Sequence, residues 1–125
     1  EGNGSFYPAT VLSNCSPEMA CMKEEIFGPV ISLQGFSSEA QVIEIANNSS
    51  AGLAAYFYSQ QVDQIWRVSE RLQSGMVGIN ESAISTAEAP FGGVKNSGIG
   101  REGGPDALHE FMDTKYVCWG SLDQK

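Results

Sequence analysis

The chain has 125 residues with a net charge of −8, and 42% of its residues are hydrophobic. Its length and composition fit one globular domain with a core, not a disordered chain. The acidic balance excludes nucleic acid and anionic membrane surfaces as expected partners, and no apolar run reaches the roughly 18 residues that a membrane helix needs.

The first third of the chain predicts two strands and a helix. An interrupted apolar run at 5–14 and a more regular one at 29–36 have strand composition. Ser38, with Gln41 three residues later, predicts a capping box at a helix start, and the asparagine pair at 47–48 suits the helix end. The predicted apolar face of this helix consists of Ala40, Ile43 and Ala46.

The middle third repeats the alternation of strand and helix. Residues 52–59 form a dense apolar run, typical of a strand buried on both faces, and 76–80 form a shorter one. Between them, helical spacing predicts a helix that Gly75 ends. This spacing is shared by Val62, Ile65, Trp66, Ser69 and Leu72. The alternation predicts an α/β fold with an open, mainly parallel sheet, whose right-handed crossovers place both long helices on one face.

The last third begins with a polar, glycine-rich loop over 81–104. The loop leaves the carboxyl end of a predicted strand, where ligands of open α/β sheets bind, and loops of this length are often functional. A short helix is predicted from Pro105, followed by a final strand over 114–120. The inward-facing residues of the short helix are expected to be Leu108, Phe111 and Met112.

Gly98, Gly100 and Gly103 have the G-x-G-x-x-G spacing of a dinucleotide-binding turn. That site requires a buried strand before the first glycine and a second half of a nucleotide-binding fold after it. Residues 92–97 do not have strand composition, and too few residues follow for the second half. We therefore interpret the spacing as a loop feature and not as a dinucleotide site.

Nucleophilic and metal chemistry is not expected from the residues of this chain. Cys15, Cys21 and Cys118 lack C-x-x-C spacing and lie in or beside strand-like stretches, so we expect small buried hydrophobes in a reducing compartment. His109, the only histidine, is expected on a helix surface, and one His with scattered Cys cannot form a metal site. The pair at 24–25, taken alone, is typical of a solvated face.

Four motifs occur in a fixed order: "KEEIFGPV" at 23–30, "NNSSAGLAAYFYSQ" at 47–60, "LQSGMVGIN" at 72–80 and "PFGGVKNSGIGREGG" at 90–104. Together they resemble the C-terminal part of the aldehyde dehydrogenase superfamily over nearly the whole chain. Residues 76–104, with "KYVCWG" at 115–120, look most like the succinate-semialdehyde dehydrogenases within it.

The resemblance implies an NAD(P)-dependent oxidation of succinic semialdehyde, or a similar small aldehyde, to the acid. In the family, the nucleophilic cysteine, the general base and most contacts to the cofactor, NAD or NADP, lie upstream of the matched region. None of the three cysteines aligns with the nucleophile, so no catalytic residue is expected here and the chain alone is expected to be inactive. Residues 1–113 then form the C-terminal portion of the catalytic domain, 114–125 form an oligomerisation strand and tail, and the N-terminal cofactor domain is absent.

The resemblance also assigns roles to single residues. Glu25 corresponds to the carboxylate that holds the hydroxyls of the nicotinamide ribose, and Phe27 to the aromatic residue beside the nicotinamide. Ser85 lies where succinate-semialdehyde dehydrogenases hold the distal carboxylate of the substrate; a loop serine that bonds its own backbone is an equal alternative. Phe91 corresponds to an aromatic on the wall of the substrate funnel. Glu88 is expected to point away from an anionic substrate.

Further expectations concern the loop and the partners. Lys95 and Arg101 are expected to be structural ion-pair partners rather than phosphate ligands. The last strand, from Tyr116 to Trp119, is expected to pair with another subunit in a homodimer or homotetramer. The expected location is the cytoplasm, or the mitochondrial matrix if a transit peptide lay upstream. Two alternatives stay open: a dehydrogenase for a different aldehyde, or a truncated, non-catalytic oligomerisation module.

Overall fold

A computed structural model describes residues 4–121. Its elements, in chain order, are β1 (Thr10–Leu12), α1 (Ala20–Lys23), β2 (Val30–Ser32), α2 (Glu39–Asn47), β3 (Ala54–Phe57), α3 (Val62–Arg71), β4 (Met76–Ile79) and two 3₁₀ helices (Lys95–Ser97 and Pro105–Phe111). β1 pairs in parallel with β2, and β3 with β4. The α/β class and the parallel pairing are confirmed. Within the described residues the strands form two two-stranded sheets rather than one, because no strand here joins β2 to β3.

The start of α2 confirms the predicted helix cap with one difference. Ser38 is the N-cap, and its hydroxyl accepts the backbone N–H of Gln41 at 3.2 Å. The Gln41 side chain closes the box on the N–H of Ser37, at 2.7 Å, and not on that of Ser38. Ile43 is buried as predicted, whereas Ala40 and Ala46 are exposed. Val42 and Ile45 are half-buried in their place, because larger apolar side chains gain more from removal from water than alanines do.

Hydrogen bonds join α2 to α3 at both ends. At the first end, the Glu39 carboxylate accepts two bonds from the Arg67 guanidinium, at 3.0 and 2.9 Å. At the other end, the Asn47 amide donates to the Arg71 carbonyl and accepts from the Gln73 N–H, both at 2.8 Å. The two helices are therefore fixed by polar contacts as well as by packing.

α3 is amphipathic, but its buried stripe is narrower than predicted. Val68 is buried and Ile65 and Leu72 are half-buried, whereas Val62 and Trp66 are exposed. Helical spacing was the correct signal for the helix. It could not show that α2 covers only one side of the apolar stripe.

The last part of the chain differs most from prediction. Residues 105–111 form a 3₁₀ helix, and the three residues predicted to face inward, Leu108, Phe111 and Met112, are exposed. Residues 112–121 contain no strand, although a strand was predicted over 114–120. An edge strand needs a ladder partner, and the described residues offer none to this segment. The one-turn helix α1 was not predicted, because four residues carry no measurable periodicity.

Most apolar side chains of the described residues lie at the surface. Cys15, Ile43 and Val68 are the only buried apolar residues there, and the accessible surface is 10584 Å². A compact monomer of this mass has about 6,500 Å². The backbone ladders and the helix pair therefore define the fold, while a large apolar area is left uncovered.

Candidate functional site

Glu25 and Phe27 lie in the short segment that connects α1 to β2. Two three-residue turns shape this segment: the N–H of Gly28 donates to the Ile26 carbonyl at 2.9 Å, and that of Val30 donates to the Gly28 carbonyl at 2.8 Å. The turns leave the Phe27 ring 94% exposed. The Glu25 carboxylate is exposed and has no hydrogen bond or ion pair with any described residue.

Phe27 borders an open, concave surface that encloses a volume of about 590 Å³. Residues 5–7 line one side of it and residues 26–30 line the other. Thr10 fixes both sides: its N–H donates to the Pro29 carbonyl at 2.9 Å and its hydroxyl to the Pro8 carbonyl at 2.8 Å. A free carboxylate can accept hydrogen bonds from hydroxyl groups, and an exposed aromatic face can pack on a flat ring. These two residues therefore fit the ribose and the ring of a nicotinamide cofactor.

The loop that carries Ser85 begins after Asn80, whose side chain is hydrogen-bonded to the backbone of Ser59. Asn80, directly after β4, has a positive φ of 56°, and its amide exchanges two hydrogen bonds with the backbone of Ser59, at 2.9 and 2.7 Å. The next carboxylate, Glu81, accepts the N–H groups of Ala83 and Ser82, both at 2.8 Å, and these backbone hydrogen bonds lower the pKa of Glu81. Sequence reasoning missed Asn80, although asparagine after a strand tolerates the left-handed conformation.

Ser85 is exposed, and its side chain makes no hydrogen bond with any described residue. The alternative in which this serine bonds its own backbone therefore finds no support in the structure. In the turn that follows, the Thr86 hydroxyl donates to the Glu88 carboxylate, and this bond lowers the pKa of Glu88. Neither Ser85 nor Glu88 lines the cavity that Phe91 borders, so the orientation of Glu88 away from a substrate stays a prediction.

Phe91 pairs with Glu102 in an antiparallel bridge of two backbone hydrogen bonds, at 2.7 and 2.8 Å. Its side chain is one wall of a cavity of about 320 Å³. The other apolar walls are Leu53, Ile99 and Phe111. This cavity and the concave surface beside Phe27 share no lining residue. Glu25 and Phe27 are close in the sequence, as are Ser85 and Phe91, but the structure does not join the two pairs in one cavity.

The glycine-rich stretch shapes the loop, as predicted. Gly98, Gly100 and Gly103 have positive φ values of 127°, 80° and 65°, a conformation that favours glycine. Lys95 and Arg101 have partners other than those predicted. Neither forms an ion pair within the described residues; the Lys95 ammonium and the Arg101 guanidinium donate to backbone carbonyls instead. The Arg101 guanidinium bonds carbonyls of the loop itself, those of Gly93 and Gly100, whereas the Lys95 ammonium bonds the carbonyls of Asn47 and Ser49 at the end of α2.

The cysteines and the histidine form no reactive cluster. Cys15 is buried, and its thiol lies 3.5 Å from the Leu12 carbonyl. Cys21 is half-buried within α1, and Cys118 is exposed, contrary to prediction, because the segment around it has no covering surface. His109 is exposed, as predicted. Residues 4–121 hold no cluster of three or more metal-binding side chains, and none of their helices is long and apolar enough to cross a membrane.

The described residues thus form an α/β structure with a free carboxylate and an exposed aromatic in one connection, and with a free hydroxyl in the loop after a parallel strand. The chain belongs to the aldehyde dehydrogenase family, whose sequence profile matches residues 1–117.

Comparison with individual proteins agrees with this family. The chain is 51% identical over 122 residues to the mitochondrial succinate-semialdehyde dehydrogenase of Rattus norvegicus, a match that covers 98% of this chain and 23% of that protein. It is 49% identical over 121 residues to the 3-sulfolactaldehyde dehydrogenase of Pseudomonas putida, a match that covers 97% of this chain and 25% of that protein. The structure of a betaine aldehyde dehydrogenase point mutant from Staphylococcus aureus, solved with NAD+, superposes with a TM-score of 0.85 at 39% identity. The match covers 92% of this chain and 23% of that one. The chain thus spans about a quarter of the length of these relatives.

Proposed function

We propose that this chain supplies the nicotinamide-ribose contacts and part of the substrate pocket of an NAD(P)-dependent aldehyde dehydrogenase that oxidises succinic semialdehyde to succinate. The observation that carries the proposal is the 51% identity to a succinate-semialdehyde dehydrogenase over 98% of the chain. The free side chains of Glu25 and Ser85 support it, since both are exposed and unengaged in the described residues.

The cofactor, when bound, accepts a hydride from the substrate carbon. The role of Glu25 is to accept hydrogen bonds from the two ribose hydroxyls, and charge-assisted bonds of this kind are strong and directional. Phe27 packs beside the nicotinamide and restricts its movement. Neither residue makes or breaks a covalent bond; both raise the fraction of bound cofactor that lies in a reactive orientation.

On the substrate side, the Ser85 hydroxyl donates to the distal carboxylate of the aldehyde, and Phe91 provides an apolar wall. Two carboxylates of the same loop are hydrogen-bonded: Glu81 accepts backbone N–H groups and Glu88 accepts the Thr86 hydroxyl. These bonds lower the pKa of both groups and keep them ionised. The free Ser85 hydroxyl is therefore a donor that offsets part of the repulsion between this loop and an anionic substrate.

A second candidate substrate is an aldehyde with a distal sulfonate. The 49% identity to a 3-sulfolactaldehyde dehydrogenase favours it, and a serine hydroxyl can donate to a sulfonate as well as to a carboxylate. Both candidates are anionic, so the Ser85 role is the same in each. Direct comparison of kcat/KM for the two aldehydes decides between them.

We also propose a homodimer or homotetramer in which residues 114–121 pair with another subunit. The exposed apolar side chains of Tyr116, Val117 and Trp119 give this segment a surface to bury. The free cysteines suit a reducing compartment, either the cytoplasm or the mitochondrial matrix.

The test is Ser85→Ala in the complete enzyme, with Ser82→Ala as the matched control in the same loop. A hydrogen bond to a charged group contributes roughly 1.5–3 kcal/mol, so kcat/KM for succinic semialdehyde should fall at least about tenfold. An uncharged aldehyde of similar length should be nearly unaffected, and Ser82→Ala should resemble the wild type with both. Equal losses on both aldehydes would assign Ser85 to loop shape alone. No turnover of succinic semialdehyde by the wild type would refute the proposed substrate.

A further inference from the structure

Lys95 lies in residues 94–97 of the loop over 81–104, is exposed and forms no ion pair within the described residues, yet its ammonium donates two hydrogen bonds. It donates to the carbonyls of Asn47 at 2.8 Å and Ser49 at 3.1 Å. These carbonyls stand at the C-terminal end of α2, where the helix dipole favours a positive charge. The backbone of Lys95 has a φ of 55°, a conformation that non-glycine residues rarely adopt.

The segment around Lys95 is attached to the connection between α2 and β3. The N–H of Val94 donates to the Gly52 carbonyl at 3.0 Å, and that of Asn96 donates to the Ser50 carbonyl at 2.9 Å. In return, the N–H of Gly52 donates to the Ser97 hydroxyl at 2.8 Å. Residues 94–97 are therefore held against residues 47–52 by three hydrogen bonds from or to the backbone and by the two hydrogen bonds of the Lys95 ammonium.

The same segment is connected to both substrate-side residues. Phe91, three residues before Val94, is bridged to Glu102. Beyond Glu102, the N–H of Gly104 donates to the Ala87 carbonyl at 3.0 Å, and Ala87 is two residues from Ser85. Displacement of residues 94–97 would therefore move Phe91, which is close in the chain, and would move Ser85 through the hydrogen bond between Gly104 and Ala87.

We infer that Lys95 is a positioning residue for substrate binding: its ammonium, seated on the carbonyls at the end of α2, holds the loop so that Ser85 and Phe91 face the aldehyde. This role rests on the proposed function of Ser85 and Phe91. The Asn47 amide keeps these carbonyls in place, because its hydrogen bonds to the backbone of Arg71 and Gln73 hold the end of α2 against α3. Lysine suits the position, since a compact ammonium with three donors can bond two carbonyls at once.

The test compares Lys95→Met, Lys95→Arg and the control Lys23→Met in the complete enzyme. Lys23 is an exposed lysine paired with Glu18 at the surface, so its removal controls for the loss of one charge. Two properties are measured: amide hydrogen exchange across 87–104, and KM and kcat for the aldehyde and the cofactor.

For Lys95→Met we expect faster exchange at Phe91, Val94, Asn96 and Glu102 and a rise of about tenfold in the KM for the aldehyde. The KM for the cofactor should change less than about twofold, Lys95→Arg should recover much of the loss, and Lys23→Met should match the wild type. Unchanged exchange in the loop overturns the inference, whichever aldehyde the enzyme oxidises. Faster exchange with an unchanged aldehyde KM overturns it too, since the loop would then move without consequence.

The hydrogen-exchange measurement separates this inference from the proposed function. If the wild type does not oxidise succinic semialdehyde, the substrate proposal fails while the exchange comparison still decides whether Lys95 holds the loop. If Lys95→Met does not fold, the milder Lys95→Gln, whose shorter, uncharged side chain keeps an NH₂ group as donor, takes its place with the same two measurements.

Discussion

Glu24 and Glu25 are adjacent carboxylates with the same exposure and different neighbours. The N–H of Glu24 closes the single turn of α1 by donating to Ala20, while Glu25 follows one residue later and leads into the turns that expose Phe27. Composition and spacing alone treat both as solvated charges. Only the motif that includes Phe27 distinguishes them, which is why the cofactor role came from resemblance and not from periodicity.

Glu25→Gln in the complete enzyme keeps the shape of the side chain and removes its charge. The ribose hydroxyls would then bond a neutral oxygen, and neutral hydrogen bonds are about half as strong as charge-assisted ones. We expect hydride transfer in single-turnover experiments to slow by about tenfold. Glu24→Gln is the matched control and should leave the rate unchanged. A wild-type rate of hydride transfer in Glu25→Gln would show that this carboxylate is not a ribose ligand.

At the scale of elements, the absence of a side chain at glycine lets the loop over 81–104 approach the strands closely. A Cβ added to Gly75 would collide with the Gly92 carbonyl and would lie 2.8 Å from the Gly93 Cα, whereas one added to Gly35 would meet no atom within 4 Å. We expect Gly75→Ala to lower the free energy of unfolding by about 1–3 kcal/mol. Gly35→Ala should be neutral or slightly stabilising. Urea denaturation of both variants of the complete enzyme checks this; equal midpoints would mean that the loop shifts without cost.

The α2–α3 pair gives a pH dependence whose direction follows from the contact. The hydrogen bond from Arg67 lowers the pKa of Glu39, and Glu39 in turn raises the pKa of Arg67. A carboxylate with a lowered pKa in the folded state stabilises the fold above its unfolded pKa, near 4.3, and this contribution is lost as the pH falls through the folded value. The Arg67 guanidinium stays charged throughout.

In the complete enzyme, the urea midpoint of the wild type should therefore fall more steeply below about pH 4.5 than that of Glu39→Gln. Glu70→Gln, on the exposed side of α3, serves as the control and should follow the wild type. Parallel pH profiles for the wild type and Glu39→Gln would show that the pair contributes nothing measurable, as many exposed ion pairs do.

The same elements show what the sequence could predict. Alternation of strand and helix and the Ser38 cap gave α2, α3 and the parallel strands, because these features depend on local spacing. The inward faces of α3 and of residues 105–111 could not be predicted, since they depend on which surface covers them. The amides of Asn47 and Asn80 were missed for a related reason: their partners lie 20 or more residues away in the chain.

For the whole molecule, the uncovered apolar surface is the dominant fact. The accessible surface of 10584 Å² exceeds the roughly 6,500 Å² of a compact monomer of this mass, and the exposed groups include Phe6, Phe111, Tyr116 and Trp119. Patches of that kind mark surfaces that other protein covers. Length and composition predicted one domain with a core of its own, but composition counts apolar residues without showing where the covering surface lies.

We therefore expect the isolated 125-residue chain to bind the dye ANS strongly, to self-associate in sedimentation velocity and to lack aldehyde dehydrogenase activity with either NAD or NADP. Exposed apolar area attracts both the dye and other copies of the chain, and the resemblance to the family predicts that none of the cysteines here is the nucleophile. The complete enzyme at the same molar concentration is the control; it should bind little dye and oxidise succinic semialdehyde. A monomeric chain with a sharp, cooperative unfolding transition and no dye binding would show that these side chains find cover within the chain itself. Turnover of the aldehyde by the isolated chain would place a nucleophile among its own residues.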